Sequence, residues 1–214
     1  MFTTPSSAQG GSASKPSARF SQLSADADAA RDAERLDEAV ILYRRALALR
    51  PSWAEGWWSL GTIHYDRDAH DKAAIAFQKL IALQPENGTA QAMLGLCEFE
   101  LNHPESALKH IEKGKSLGLQ KNPDLWHVVL YHEGILLQRK SSFQAAQDTL
   151  EELCLQNGVS DPVANVLGMT MLRMSSSNPP AAASTDADVV LRAGWAECLA
   201  GQKKYGEARA AYEA

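Results

Sequence analysis

A period of 34 residues runs through the middle of this 214-residue chain. A fixed repeat of a few tens of residues restricts a fold to architectures in which one supersecondary unit stacks on copies of itself. Pro51 recurs as Pro85, Leu60 as Leu94, Gly61 as Gly95, Ala39 as Ala73 and Ala107, and Tyr43 as Phe77 and Ile111. The register then slips by five, since Gly95 to Gly134 and Ala107 to Ala146 both span 39 residues, and Gly134 to Gly168 restores 34. Both markers move together, so one insertion explains both. It falls between Leu119 and Leu130, where residues 120–124 read as a loop followed by a helix start, with Asn122 able to cap and Pro123 suited to the first helical position.

Within each period the apolar spacing is helical. Trp57, Leu60, Gly61 and His64 follow i, i+3, i+4, i+7, and Ala73, Phe77, Leu80 and Ile81 show the same periodicity, so each unit is two antiparallel helices. Start signals agree: Ser52 with Glu55 forms a candidate capping box, Pro104 follows His103, and Asp161-Pro162 supplies a cap and a first-turn proline. Gly61, Gly95, Gly134 and Gly168 fall mid-helix, where glycine costs about 1 kcal/mol relative to alanine. Their recurrence predicts close approach of the paired helix at each one.

The best unit, with Trp57, Leu60, Gly61, His64, Ala73, Phe77 and Pro85, resembles the tetratricopeptide repeat, whose pattern is W-x2-L-G-x2-Y, then A-x3-F, then P. His64 stands where that family favours Tyr. The resemblance implies an all-α fold, an α-solenoid of antiparallel helix pairs wound into a right-handed superhelix. Units are expected at about 20–53, 54–87, 88–121 and 127–160, with a partial fifth at 161–174. Residues 1–19, nearly devoid of large apolar side chains, read as a disordered Ser/Ala/Gly/Pro-rich leader. Residues 175–188 are polar and proline-broken and read as a flexible loop, and 189–214 as an incomplete repeat whose last helix keeps an uncovered apolar side, a possible self-association contact.

In such a stack the first helix of each pair lines the inner wall, the expected binding surface. A second helical row runs beside the packing set: Trp58, Thr62 and Tyr65, then Ala92, Leu96 and Phe99, then Tyr131, Ile135 and Gln138, then Asn165, Met169 and Leu172. From this row, Trp58, Thr62, Tyr65, Leu96, Phe99, Tyr131, Ile135, Asn165 and Met169 are the expected partner-binding residues, because exposed apolar stripes mark interaction sites and Trp and Tyr are enriched at hot spots. The competing reading buries the row as additional core. Some members of the family grip a C-terminal carboxylate with Lys, Arg and Asn on this wall; the row here, with Ser24, Asp28, Trp58, Thr62, Ala92 and Leu96, offers no such clamp. A peptide or protein segment with apolar anchors is the expected ligand.

Other chemistry finds little support. Twenty-six acids against 21 bases give a net charge of −5, which argues against nucleic acid as a partner. Apolar runs such as 128–131 and 135–137 fall far short of the roughly 20 residues that span a bilayer. Gly114-Lys115-Ser116 copies the end of a phosphate-binding loop, but Lys109 occupies the first glycine position. His127 and His132 are five apart and do not form a metal-binding i, i+4 pair, while His64, Asp66, Asp68 and His70 read as a solvated turn. Asn87-Gly88-Thr89 matches a glycosylation pattern but reads as a turn, and Cys97, Cys154 and Cys198 lack paired spacing and read as space-fillers. No cofactor, metal site or catalytic constellation is expected.

From these features a non-catalytic interaction scaffold is expected. The alternative is the docking arm of a longer enzyme with its catalytic domain beyond residue 214. The absence of a signal in this chain points to the cytoplasm, whereas a signal lying ahead of it would place the protein in the periplasm or outside the cell.

Overall fold

A computed structural model describes residues 14–157 and 160–177. Among the described residues nine α-helices follow one another: α1 (Ser14–Asp32), α2 (Leu36–Leu49), α3 (Ala54–Tyr65), α4 (His70–Leu83), α5 (Gly88–Glu100), α6 (Pro104–Ser116), α7 (Pro123–Arg139), α8 (Phe143–Asn157) and α9 (Asp161–Ser177). Among the described residues there is no strand. Each consecutive pair, α1 with α2, α3 with α4, α5 with α6 and α7 with α8, packs together. The fold is an array of helix pairs. It divides into two compact units, α1–α4 within residues 1–85 and α5–α9 within residues 86–214.

The pairs close around a recurring contact sixteen residues apart. A Cβ on Gly61 would come within 2.7 Å of the Phe77 ring, one on Gly95 within 2.8 Å of Ile111, and one on Gly134 within 2.6 Å of Leu150. Ala27 and Tyr43, both fully buried, hold the equivalent places in the first pair. A small residue on the first helix thus admits a large one from the second, which is the packing reason for mid-helix glycine. Gly88 and Gly114 make a further approach between α5 and α6, each standing where a Cβ would meet the other's carbonyl oxygen, at 2.9 and 2.8 Å.

The turn inside each pair also repeats. Glu34, Asp68, Asn102 and Ser141 adopt left-handed backbone, with φ of 57°, 55°, 57° and 63°. The amide after each reaches back to a carbonyl five residues earlier: Arg35 to Ala30, Ala69 to His64, His103 to Glu98 and Ser142 to Leu137, all at 2.8–2.9 Å. This is the bond pattern that ends a helix through a left-handed residue, a position usually given to glycine.

Several local features differ from the sequence expectations. Helix α1 begins at Ser14, inside the segment read as a leader. The capping box at Ser52 and Glu55 does not form: Trp53 precedes α3 and makes no side-chain cap bond. Packing decides this, because the Trp53 ring lies over Gly56 and against Phe20 and Tyr43, at centroid separations of 5.2 and 5.8 Å. Asn87 caps α5 by accepting from the Ala90 amide at 2.9 Å, so the glycosylation-like triplet opens a helix rather than forming a turn. Asn122 caps α7 through the Leu125 amide at 3.3 Å, with Pro123 in first position. The inserted residues form a 3-10 turn, Leu119–Lys121, after a left-handed Gly118. Cys97 is free and buried, whereas Cys154, also buried, is disulfide-bonded and more than a space-filler. Helix α9 runs to Ser177, past the expected start of the loop; the rest of that loop and the expected repeat at 189–214 lie outside the described residues, as do residues 1–13.

Candidate functional site

The first helices of the pairs carry the residues expected to meet a partner. In the first unit these are α1 and α3. Trp58 is half-buried, its ring set edge-on to Phe77 at 5.7 Å, and Tyr65 leans on the His70 ring at 5.2 Å. Between them Thr62 donates its hydroxyl to the Ser59 carbonyl at 3.0 Å. Each aromatic ring therefore has one side packed on α4 and keeps partial access to solvent.

Beside this row, α1 contributes a polar network. The Tyr43 hydroxyl donates to the Asp28 carboxylate at 2.6 Å, and the Arg31 guanidinium donates to Tyr43 at 3.1 Å and to Ser59 at 3.2 Å. Burial, and the bond to Asp28, push the Tyr43 hydroxyl up to about 12, so it stays protonated as the donor. Arg31 and Asp28, with side chains 40% and 47% exposed, leave charge available at the surface. The spacing of Asp28 was visible in the sequence; the bond from Arg31 to Ser59 was not, because it joins residues 28 positions apart on two helices.

The second unit treats the row differently. Nine of the 13 residues of α5 are buried, among them Ala92 and Leu96, the latter 2% exposed. Leu96 is core here and offers no surface, the outcome that the competing reading anticipated for this position. Phe99, Tyr131 and Ile135 are half-buried. The Phe99 ring meets His132 edge-on at 4.6 Å and carries the Arg139 guanidinium 5.1 Å from its centroid. Gln138 turns to α9, donating to the Val166 carbonyl at 3.2 Å and to the Thr170 hydroxyl at 3.0 Å. Met169 is 38% exposed. Asn165 lies in α9, with its side chain outside the described residues.

The other chemical candidates are structural. Gly114-Lys115-Ser116 ends α6, where Lys115 pairs with the buried Glu133 carboxylate at 2.5 Å and sits 5.4 Å from the Trp126 ring. Burial raises the Glu133 carboxyl, with the Lys115 bond opposing. His132 contacts its own helix through the Val128 carbonyl. Asp68 occupies the turn and His70 opens α4. Burial drives the Cys97 thiol up to about 12, leaving it a poor nucleophile at neutral pH. Among the described residues no group of three or more His, Cys, Asp or Glu is placed to hold a metal ion, and no helix is long and apolar enough to cross a membrane.

Comparison with known proteins agrees with the helix-pair fold. Residues 25–87 match a family model described as tetratricopeptide repeat. Protein O-mannosyl-transferase TMTC3 of Homo sapiens is 28% identical over 119 residues, 56% of this chain and 13% of that protein. General transcriptional corepressor trfA of Dictyostelium discoideum is 25% identical over 113 residues, 52% of this chain and 8% of that protein. The chain thus spans a small fraction of the length of these curated relatives. Among solved structures, YrrB, described as a TPR protein with an unusual peptide-binding site, superposes with a TM-score of 0.65 at 18% identity, over 88% of this chain and 89% of that one. MamA also gives 0.65, at 15% identity over 85% and 96%. Residues 25–87 match the tetratricopeptide repeat, and the chain shares the helix-pair fold of the solved structures that superpose on it.

Proposed function

We propose that this chain is a protein-interaction scaffold that binds a peptide or protein segment along the exposed faces of its leading helices. Trp58, Thr62 and Tyr65 form the contact in the first unit, and Phe99, Tyr131, Ile135, Asn165 and Met169 in the second. The observation that carries the reading is the half-exposure of aromatic side chains at one helical register, Trp58 and Tyr65 on α3, Phe99 on α5 and Tyr131 on α7. Aromatic rings held by packing on one side lose little further freedom on binding, and such residues dominate interface energetics. The description of YrrB as a protein with a peptide-binding site supports a peptide as the kind of ligand.

Among the peptides that the full chain selects from a random library, one class should bind Trp58→Ala about 30-fold more weakly, roughly 2 kcal/mol. Circular dichroism would show the variant still folded. Unchanged affinity for every selected peptide would overturn the proposal.

A second reading, the docking arm of a longer enzyme, draws on the partial match to a protein named as a transferase, of which the matched segment is 13%. On that reading the chain supplies binding and the chemistry belongs to other domains.

A further inference from the structure

The first unit contains a second groove, made by α2, α3 and α4 together. Its volume is about 870 Å³, within the 300–1,000 Å³ typical of ligand clefts. Val40 and Leu47 of α2, Trp57 and Leu60 of α3, and Ile75 and Ala76 of α4 give it apolar walls. Ile75 is 55% exposed, well above what a core position would show. The residues expected to bind a partner on the leading helices are absent from this lining.

Its charged residues are mostly basic. Arg44 lines it from α2, Arg67 from the turn after α3 and Lys72 from α4; Asp37 is the acid that lines it, and that carboxylate is bonded to Arg67 at 2.7 Å. Arg44 and Lys72 are exposed, and neither makes an ion pair among the described residues. With Asp37 offset by Arg67, two positive charges are left on an apolar cleft in a chain whose net charge is −5. His64 lies in the same lining, half-buried; burial lowers its pKa first, then Lys72, Arg67 and Arg44, with Asp71 of α4 opposing. The imidazole therefore senses a positive field.

We infer that this groove docks an acidic segment of a partner protein, with aliphatic or aromatic side chains seated between α2 and α4 and carboxylates facing Arg44 and Lys72. Charge complementarity selects this occupant: a basic segment would meet three cations and one offset acid, and a neutral apolar one would leave Arg44 and Lys72 without partners. The groove is separate from the leading-helix faces, so one chain can hold two segments at once.

The test uses the full chain and a random 12-residue peptide library displayed on phage. Selection should enrich peptides that combine Asp or Glu with Leu, Ile or Trp. Synthesised winners of this acidic class should lose at least tenfold in affinity to an Arg44→Glu/Lys72→Glu variant and to Ile75→Asp, and keep their affinity for Trp58→Ala, which reports the peptides of the other site. Arg44, Lys72 and Ile75 are exposed, so these variants are expected to fold, which circular dichroism checks. The His64 resonance should titrate at higher pH with such a peptide bound, as carboxylates offset the cations around it. Three outcomes would overturn the inference: no selected peptide depends on the groove residues, the dependent peptides are basic or uncharged, or light scattering shows a dimer that the groove variants dissociate. Failure of Trp58→Ala to weaken any peptide would bear only on the leading-helix site.

Discussion

Four residues that are not glycine hold the left-handed position at the end of the first helix of each pair, and they differ in how well they tolerate it. Asparagine and aspartate visit this region at modest cost, whereas Glu34 and Ser141 bear more of the steric penalty of about 1–2 kcal/mol per residue. Glycine removes that penalty but adds unfolded-state entropy worth about 0.5–1 kcal/mol. Glu34→Gly and Ser141→Gly should therefore stabilise the chain by up to about 1 kcal/mol in urea denaturation, and Asn102→Gly should be close to neutral. Equal effects at all four sites would show that backbone strain is not what distinguishes them. The small-to-large contacts obey a similar logic. A methyl on Gly95 meets the Ala107 carbonyl oxygen at 2.9 Å and the Ile111 amide at 3.0 Å, while the three atoms nearest one on Gly134 all belong to the Leu150 side chain. Backbone cannot step aside as a leucine methyl can, so Gly95→Ala should cost about 2 kcal/mol and Gly134→Ala less than half of that. At Lys115 the effect depends on pH. The Glu133 carboxyl is raised by burial, so its contribution to stability is full at acid pH and is lost as pH rises through its folded value. Lys115→Met removes the opposing bond and enlarges that loss. The variant should be about 3 kcal/mol less stable at pH 7, with the gap to wild type narrowing towards pH 5; a gap that stays constant would mean Glu133 keeps its charge without Lys115.

Element boundaries show which signals in the sequence were legible and which were not. The period was legible because close packing of paired helices demands a small residue and a large one sixteen positions apart, and that demand writes Gly61 with Phe77, Gly95 with Ile111 and Gly134 with Leu150 into the chain. The five-residue slip was legible for the same reason, and it appears as a 3-10 turn before a longer helix, α7. The left-handed turn positions follow the identical spacing, but Glu, Asp, Asn and Ser share no chemical mark, so backbone geometry alone reveals them. Ser52 and Glu55 carried a correct local signal that lost to the packing of Trp53 against Phe20 and Tyr43. The leading-helix row was legible as a register on single helices, yet its burial at Leu96 depends on what surrounds α5. The groove of α2, α3 and α4 escaped because its lining is shared among three helices, with no motif on any one of them. Capping makes a test at this scale. Asn87 accepts from its amide at 2.9 Å and Asn122 at 3.3 Å, so Asn87→Ala should cost about 1 kcal/mol and Asn122→Ala less, as measured by thermal unfolding.

Within each unit, the main contacts join helices that are neighbours or next-but-one in order, as α5 does with α6 and α7, and α9 with α8 and α7. A repeat architecture of this kind draws its stability from each unit and from its nearest interfaces, so a local defect is felt over a short range. Scaffold function benefits, because a face can change to suit a new segment without the remote pairs being remade. Native-state hydrogen exchange reads this directly, since it reports the opening energy of each stretch of backbone. In Gly95→Ala, amides of α5 and α6 should exchange faster, those of α7 should show a smaller effect through its contact with α5, and those of α9, which packs on α8 and α7, should keep wild-type rates. Uniform acceleration from α5 through α9 would instead mean that residues 86–177 open as one cooperative body. Contacts made at Phe99, Tyr131 and Met169 would then be coupled through that body.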